Sequence, residues 1–510
     1  AVDPRTRIPH EAVFTNASES EIDRAVTKAA SAFDSMRKLT THQRAELLDQ
    51  IAAQIEALGD PLIEMADAET GLGVSRLTGE RSRTTGQLRK FAELLREGSY
   101  VEAIIDTARP DRTPAPRSDI RRMLIPIGPT AVFAASNFPF AFSVAGGDTA
   151  SALAAGCPII VKAHPSHPAT SELFAHAINR AIEHGQLPPG IFSLVQGDQI
   201  SVGQMLVRHP GICAAAFTGS LRGGRALYDA AAQRPVPIPV YAEMGSTNPV
   251  IILPGALEQR GQQIAQGLVQ SVTLGSGQFC TNPGIVFWID SPHTQIFVET
   301  ITALMTGITP GVLLNANVER GLVSAVEYSL SQSEVERLTG GSAVKGESYC
   351  YANTVLQTSS SAFRSNPALQ NEHFGPVTLL VRCESYADLL STLEVLHGNL
   401  TAAVHAIPED GPLAIAVLEL LREKVGRLIW NGFPTGVEVV HAMQHGGPYP
   451  ATTAPNTTSV GMTAIQRFLR PIAFQDLPDI MLPDALKDAN PLGIWRKLDE
   501  QFTREPAARR

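Results

Sequence analysis

The sequence predicts an α/β protein in which a parallel sheet with crossover helices is flanked by a helical N-terminal segment and a second αβ unit. Between Gly128 and about Asn248, short apolar runs alternate with stretches of helical periodicity, the pattern of buried parallel strands joined by helices. A comparable alternation recurs from about Pro249 to Pro448. The 510 residues exceed what one hydrophobic core serves, and 44% apolar with 18% charged residues describe a globular protein of two or three domains.

In chain order, residues 16–58 read as helices. Ser18 and Glu21 form a capping-box pair, and Ile22, Ala25, Val26 and Ala29 repeat at helical spacing. Helix continues through Arg96. Three prolines within Ala108–Arg117 then break the pattern before a strand-like Ile120–Pro126, which predicts a crossing or an exposed hairpin. The first αβ unit reads as strands Thr130–Ala135, Pro158–Lys162, Ile191–Val195, Ala214–Thr218 and Val240–Glu243, with helices Phe142–Ala155, Ala169–His184 and Gly223–Gln233. The second reads as helices near Arg260–Leu274, His293–Met305 and Ser385–Leu396, with strands near Gly284–Ile289, Val377–Arg382 and Arg427–Trp430. In the tail, Ala464–Leu469 is strand-like.

A formal charge of −9 gives no electrostatic footprint for nucleic acid or an anionic membrane, so small molecules and copies of the chain itself are the expected partners. The five cysteines lack CxxC pairing, which argues against a disulfide framework and a zinc site; no metal is expected. The N-terminus has no apolar signal core and no apolar run reaches about 18 residues, so the cytoplasm is the expected compartment.

Six stretches carry chemistry. Cys280 follows Gly275-Ser-Gly277 and precedes Thr281-Asn-Pro-Gly284, where the backbone can fold tightly around a thiol. Taken alone it is as readily a small buried hydrophobe as a nucleophile. Glu243 ends an apolar strand before a glycine turn, where partial burial would raise its pKa toward that of a general base; a turn carboxylate is the plain alternative. Asn137, at another strand end before Phe138-Pro139, has the placement of an oxyanion donor, or of a turn asparagine. Gly219, Ser220 and Gly224 lie at a strand-to-helix junction suited to a phosphate, and Lys162 is a second strand-end cation. Finally, Glu372 and Phe374 precede a strand and suit a sugar hydroxyl and a flat ring, or a surface turn and a core anchor.

Taken together and in this order, Ser136-Asn-Phe-Pro139, Ile159-Ile-Val-Lys162, Phe217-Thr-Gly-Ser220, Ala242-Glu-Met-Gly245, Gly277-Gln-Phe-Cys280 and Glu372-His-Phe-Gly-Pro376 resemble the NAD(P)-dependent aldehyde dehydrogenase superfamily over nearly the whole chain. The resemblance implies attack by the Cys280 thiolate on an aldehyde, an oxyanion held by Asn137 and the Cys280 amide, hydride transfer to the nicotinamide, and hydrolysis of the thioester by water that Glu243 activates. It assigns Lys162 to the ribose and phosphate, Gly219 and Ser220 to the pyrophosphate, and Glu372 with Phe374 to the nicotinamide ribose.

The resemblance further implies a Rossmann-type cofactor domain over 1–107 and 126–242, an αβ catalytic domain over 243–450, and an oligomerisation element with C-terminal tail over 108–125 and 451–510. A homodimer or homotetramer follows. Relatives that prefer NAD often carry Glu three residues after the matching lysine, but here the segment is Lys162-Ala-His164-Pro165-Ser166. NADP is therefore the expected cofactor and NAD the weaker one, with Lys162, His164 and Ser166 near the 2′-phosphate.

Phe142–Gly156, Pro239–Met244, Asn431-Gly-Phe-Pro-Thr-Gly-Val-Glu438, His445-Gly-Gly-Pro-Tyr-Pro450 and Asp488–Trp495 look like the 2-oxoglutarate semialdehyde dehydrogenases of bacterial sugar-acid catabolism. The alternative is a fatty or medium-chain aldehyde dehydrogenase, with Phe138, Phe142, Phe279, Thr281 and Phe433 lining the substrate tunnel. A CoA-acylating enzyme would not need Glu243, a cysteine hydrolase would need a histidine against the thiol, and none is near Cys280 in sequence. A non-catalytic binding protein on this scaffold predicts loss of thiol, base or donor, and all three are present.

Overall fold

The computed structural model describes residues 1–507. Four helices open the chain: α1 (Glu19–Met36), α2 (Thr41–Ala57), α3 (Gly59–Thr70) and α4 (Val74–Glu97). Ser18 and Glu21 cap α1 reciprocally, as their spacing predicts, and Thr40 with Gln43 do the same for α2. Strands β1 (Ile104–Asp106) and β2 (Ile120–Pro126) pair antiparallel, so the proline-rich stretch is the loop of a hairpin.

The first αβ unit follows as β3 (Thr130–Phe133), α5 (Gly147–Ala155), β4 (Ile159–Lys162), α6 (Pro168–His184), β5 (Phe192–Val195), α7 (Ile200–Arg208), β6 (Ala214–Thr218), α8 (Leu221–Ala232) and β7 (Val240–Glu243). Its five strands are all parallel, ordered β5-β4-β3-β6-β7. The order reverses between β3 and its neighbours β4 and β6, which opens a crevice at the carboxyl ends where Asn137, Lys162, Gly219 and Glu243 follow or end strands. Helix α5 starts at Gly147, not at Phe142: residues 142–146 turn tightly, and a Cβ on Gly146 would stand 2.5 Å from the Ala141 carbonyl oxygen. Helix α7 was not anticipated; its short repeat around Gly203 gives a weak sequence signal.

The second unit runs β8 (Val250–Ile252), α9 (Pro254–Thr273), β9 (Ile285–Ile289), α10 (Thr294–Gly307), α11 (Ala316–Leu330), β10 (Glu336–Thr339), β11 (Thr354–Ser359), α12 (Ser360–Ser365), β12 (Val377–Cys383), α13 (Tyr386–Glu394), β13 (Asn399–His405), α14 (Gly411–Arg422) and β14 (Val425–Trp430). Its seven strands lie in the order β10-β11-β12-β9-β8-β13-β14. The core on one face holds Phe287, Leu356 and Leu379, and that on the other Trp288, Ile264 and Leu380, as continuous apolar strands buried on both sides require.

The tail returns as β15 (Leu469–Gln475), β16 (Arg496–Leu498) and β17 (Gln501–Thr503), making a third sheet ordered β15-β2-β1-β16-β17. The strand expected at 464–469 is instead a 3-10 turn, Met462–Phe468, leading into β15. Its apolar residues, Ala464, Ile465 and Phe468, face the core from a tight helix, a pattern that resembles a strand over so short a run. All five cysteines are free, and no described helix is long and apolar enough to cross a membrane.

Candidate active site

Cys280 sits on the loop between α9 and β9, and that loop is held at several points. Gly277 has φ +68°, and a Cβ there would lie 2.1 Å from the Gly375 carbonyl oxygen, so glycine is required. The Gln278 side chain accepts from Leu314 N and donates to the Gly275 carbonyl. Asn248, itself at φ +46°, donates through Nδ2 to the carbonyls of Cys280 and Asn282, both at 2.9 Å. The sulfur thus projects from a rigid loop.

Two side chains meet at that sulfur, and a third is bonded to its loop. Glu243 is buried at the end of β7; Ser459 donates to its Oε2. His445 lies with Nε2 3.4 Å from Cys280 Sγ and 3.1 Å from Glu243 Oε1. Asn137 is buried and its Nδ2 donates to the Gln278 carbonyl at 3.0 Å, two residues before the thiol. Beside them is a cavity of about 110 Å³ lined by Arg83, Phe138, Phe142, Phe279, Cys280, Thr281, Gly436, Val437 and His445. Phe433 is placed elsewhere: its ring packs on His405, with centroids 4.8 Å apart, and on Gly267.

Helix α4 supplies a wall that sequence reasoning missed. Glu80, fully buried, accepts from Phe140 N and Ala141 N and fixes the turn carrying Asn137. Arg76 donates to the Asn137 carbonyl at 2.6 Å, with its guanidinium 4.9 Å from the ring centres of both Phe138 and Phe279. Arg76, Glu80 and Arg83 are spaced i, i+4, i+7, which puts them on one helix face; charges at that spacing on a face otherwise holding buried Leu77 and Leu88 were the available signal.

The electrostatics revise one expectation. Burial by itself would raise the Glu243 pKa, but the His445 charge and hydrogen bonds from His445 and Ser459 outweigh it and hold the carboxyl below its ordinary value. Glu243 is therefore ionised at neutral pH. Burial, then the Glu243 charge, push the Cys280 thiol well above the ordinary value. His445 Nδ1 is buried without a partner, so Nε2 is the ring atom that faces both sulfur and carboxylate. Glu243, Cys280 and His445 also present one ligand atom each within 4.8 Å of one another.

A rate measurement checks this balance. In the cofactor-free enzyme, alkylation of Cys280 by iodoacetamide is expected to climb about tenfold per pH unit through pH 8 without a plateau, because only the thiolate reacts. Glu243→Gln removes the adjacent negative charge and raises the rate at any given pH. A plateau near pH 7 would show a thiolate already paired with protonated His445.

The expected cofactor residues occupy the same crevice. Lys162 is half-buried at the end of β4, has no ion pair among the described residues, and burial lowers its pKa to about 8. Ser166 accepts from Asn315 Nδ2 at 2.9 Å, its backbone N–H donates to His164 Nδ1, and burial pushes the His164 pKa well down. Gly219 and Ser220 are exposed at the start of α8, where Ser220 caps the helix through Gly223 N, and Gly224 packs against Met244. Glu372 lies against Gly245 and its carboxyl is raised by burial to about 7. Phe374 and Phe279 line one small cleft with Glu372. A half-buried cation without an ion pair among the described residues, a helix N-terminus capped by Ser220 and the Glu372 carboxyl fit a dinucleotide's phosphates and ribose.

A thiol, a carboxylate and an amide donor assembled at the switch point of a doubly wound sheet define the class, an oxidoreductase that works through cysteine. The chain belongs to the aldehyde dehydrogenase family, whose model matches residues 2–450. It is 50% identical over 506 residues to alpha-ketoglutaric semialdehyde dehydrogenase 2 of Azospirillum brasilense, covering 98% of this chain and 95% of that protein. With alpha-ketoglutaric semialdehyde dehydrogenase of Acinetobacter baylyi it shares 47% identity over 491 residues, 96% and 93% of the two chains. The fold also matches 1-pyrroline-5-carboxylate dehydrogenase from Thermus with bound NAD, at a TM-score of 0.77 and 23% identity over 91% of this chain and 86% of that one.

Proposed function

We propose that the protein oxidises 2-oxoglutarate semialdehyde (2,5-dioxopentanoate) to 2-oxoglutarate and uses NADP in preference to NAD. The observation that carries the reading is that Glu243 and His445 meet the Cys280 thiol beside a small cavity while Asn137 is bonded to the loop that carries it, in a chain half identical to two enzymes named for this substrate. Cys280 Sγ attacks the aldehyde carbon as the thiolate, its proton having passed to solvent. Asn137 Nδ2 and the Cys280 backbone N–H hold the resulting oxyanion. The bound nicotinamide supplies the hydride acceptor. Glu243 then takes a proton from the water that cleaves the Cys280 thioester, and His445 with Ser459 keeps that carboxylate oriented.

Support for NADP comes from the segment after β4: Pro165 and Ser166 stand where a ribose-binding carboxylate would repel a 2′-phosphate, and Lys162 lacks an ion-pair partner there. A kcat/KM ratio for NADP over NAD well above one is expected, and a large preference for NAD would sink this part. The parallel sheet and helices over 1–107 and 126–242 form the proposed cofactor domain, 243–450 the catalytic domain, and 108–125 with 451–510 the element for a homodimer or homotetramer. Ser459 and the Thr452 bridge to Glu243 tie the start of that tail to the active site.

Phe138, Phe142 and Phe279 on the cavity favour the second reading, a medium-chain aldehyde. A substrate panel with NADP, comparing 2,5-dioxopentanoate, succinate semialdehyde and medium-chain aldehydes, decides between them. A higher kcat/KM for a medium-chain aldehyde would overturn the first.

A further inference from the structure

The cavity beside Cys280 has three phenylalanines and, among its lining residues, one Lys or Arg: Arg83. We infer that Arg83 is the specificity residue that binds the distal carboxylate of the acid-bearing aldehyde, an inference that rests on the function proposed above.

The guanidinium is held but not neutralised. Arg83 Nη1 donates to the Val437 carbonyl, which ties the side chain to another residue of the cavity wall. Among the described residues no carboxylate lies within ion-pair distance of it, although Glu80 and Glu438 are close enough to act on it through space. Burial disfavours its charge, so a half-buried cation stands without the partner that would compensate its lost hydration.

The other arginines of this region do not line that cavity. Arg76 is sandwiched by Phe138 and Phe279 and bonded to the Asn137 carbonyl. Arg427 donates to the carbonyls of Gly436 and Pro434. Arg121 is bound by Asp119 and Asp488 in the third sheet. Among the described residues only Arg83, of the arginines, lines the same cavity as the nucleophile, and a guanidinium edge matches a carboxylate in a bidentate way. In 2,5-dioxopentanoate, four C–C bonds separate the aldehyde carbon from the carboxylate carbon, about 5 Å when extended. A cavity of about 110 Å³ with thiol and guanidinium both on its wall suits a short acid and not a long tail.

The test compares wild type, Arg83→Met and Arg83→Lys on 2,5-dioxopentanoate and on pentanal, an uncharged aldehyde of equal length. For Arg83→Met, the ratio of kcat/KM for the acid over pentanal is expected to fall roughly 10- to 150-fold, mainly through KM, the range for a lost charged hydrogen-bond pair. The inhibition constant of 2-oxopentanoate, which keeps the carboxylate and lacks the aldehyde, should rise by a similar factor. Arg83→Lys should lie between. An unchanged ratio and inhibition constant in Arg83→Met, or equal losses for Lys and Met, would overturn the assignment. A wild-type enzyme that prefers pentanal would sink the proposed substrate instead, before any variant is considered.

Discussion

Glu243→Gln is expected to convert the enzyme from steady turnover to a single burst. On rapid mixing with aldehyde and oxidised cofactor, reduced cofactor should appear in an amount approaching one per active site, followed by turnover slowed about 10²- to 10⁴-fold, the usual contribution of a positioned general base. The geometry sets this outcome because glutamine keeps the shape and the Ser459 contact but cannot accept a proton. Thioester formation survives if the thiol can shed its proton to solvent, and removing the neighbouring charge makes that easier. Hydrolysis needs a base beside the thioester carbon, and Glu243 is the carboxylate held against Cys280. Unchanged steady-state turnover would remove Glu243 from the base role, and loss of the burst itself would place it in the first half-reaction.

The pH dependence follows from the same groups. Glu243 is held below the ordinary carboxylate range, so its ionised form, and the stability it lends through His445, is present above the unfolded carboxyl's pKa and lost as pH falls through the lower folded one. Glu372 behaves oppositely: burial raises it to about 7, so its charge costs stability above the ordinary carboxylate pKa, increasingly as pH rises toward 7.

Much of this was legible in the sequence because strand ends are punctuated. Glu243, Lys162 and Gly219 each follow an apolar run that breaks at a glycine, proline or cap, and the sheet order brings them to one edge. What stayed hidden came from residues whose place depends on long-range packing. His445 reaches the thiol from 165 positions away, inside the loop His445–Pro450 whose sequence shows only glycines and prolines around it. Arg83 and Glu80 take their roles only because α4 packs beside the 137–142 turn. Phe433 failed in the other direction: an aromatic in a turn beside the active-site loop proved to be filler over Gly267, which local sequence does not distinguish from a tunnel wall.

Asn137→Ala is expected to lower kcat about 10²- to 10³-fold, or about 2.7–4 kcal/mol of transition-state stabilisation, with a smaller change in KM. The Asn137 amide makes one bond to the Gln278 carbonyl, which leaves its second N–H to point at an oxygen built on the carbon that Cys280 attacks. That bond also aims the amide before substrate arrives, so no reorganisation is needed when charge develops. The turn that carries it is fixed independently, by Glu80 through Phe140 N and Ala141 N and by Arg76 through the Asn137 carbonyl, so truncation at Cβ leaves the backbone in place. Asn137→Asp should be worse than alanine, because a carboxylate there repels the oxyanion and the thiolate alike. The check is pre-steady-state: in contrast to Glu243→Gln, the burst itself should slow, since the oxyanion forms before any reduced cofactor does. A fast burst in Asn137→Ala with slow turnover would move the donor's role to hydrolysis.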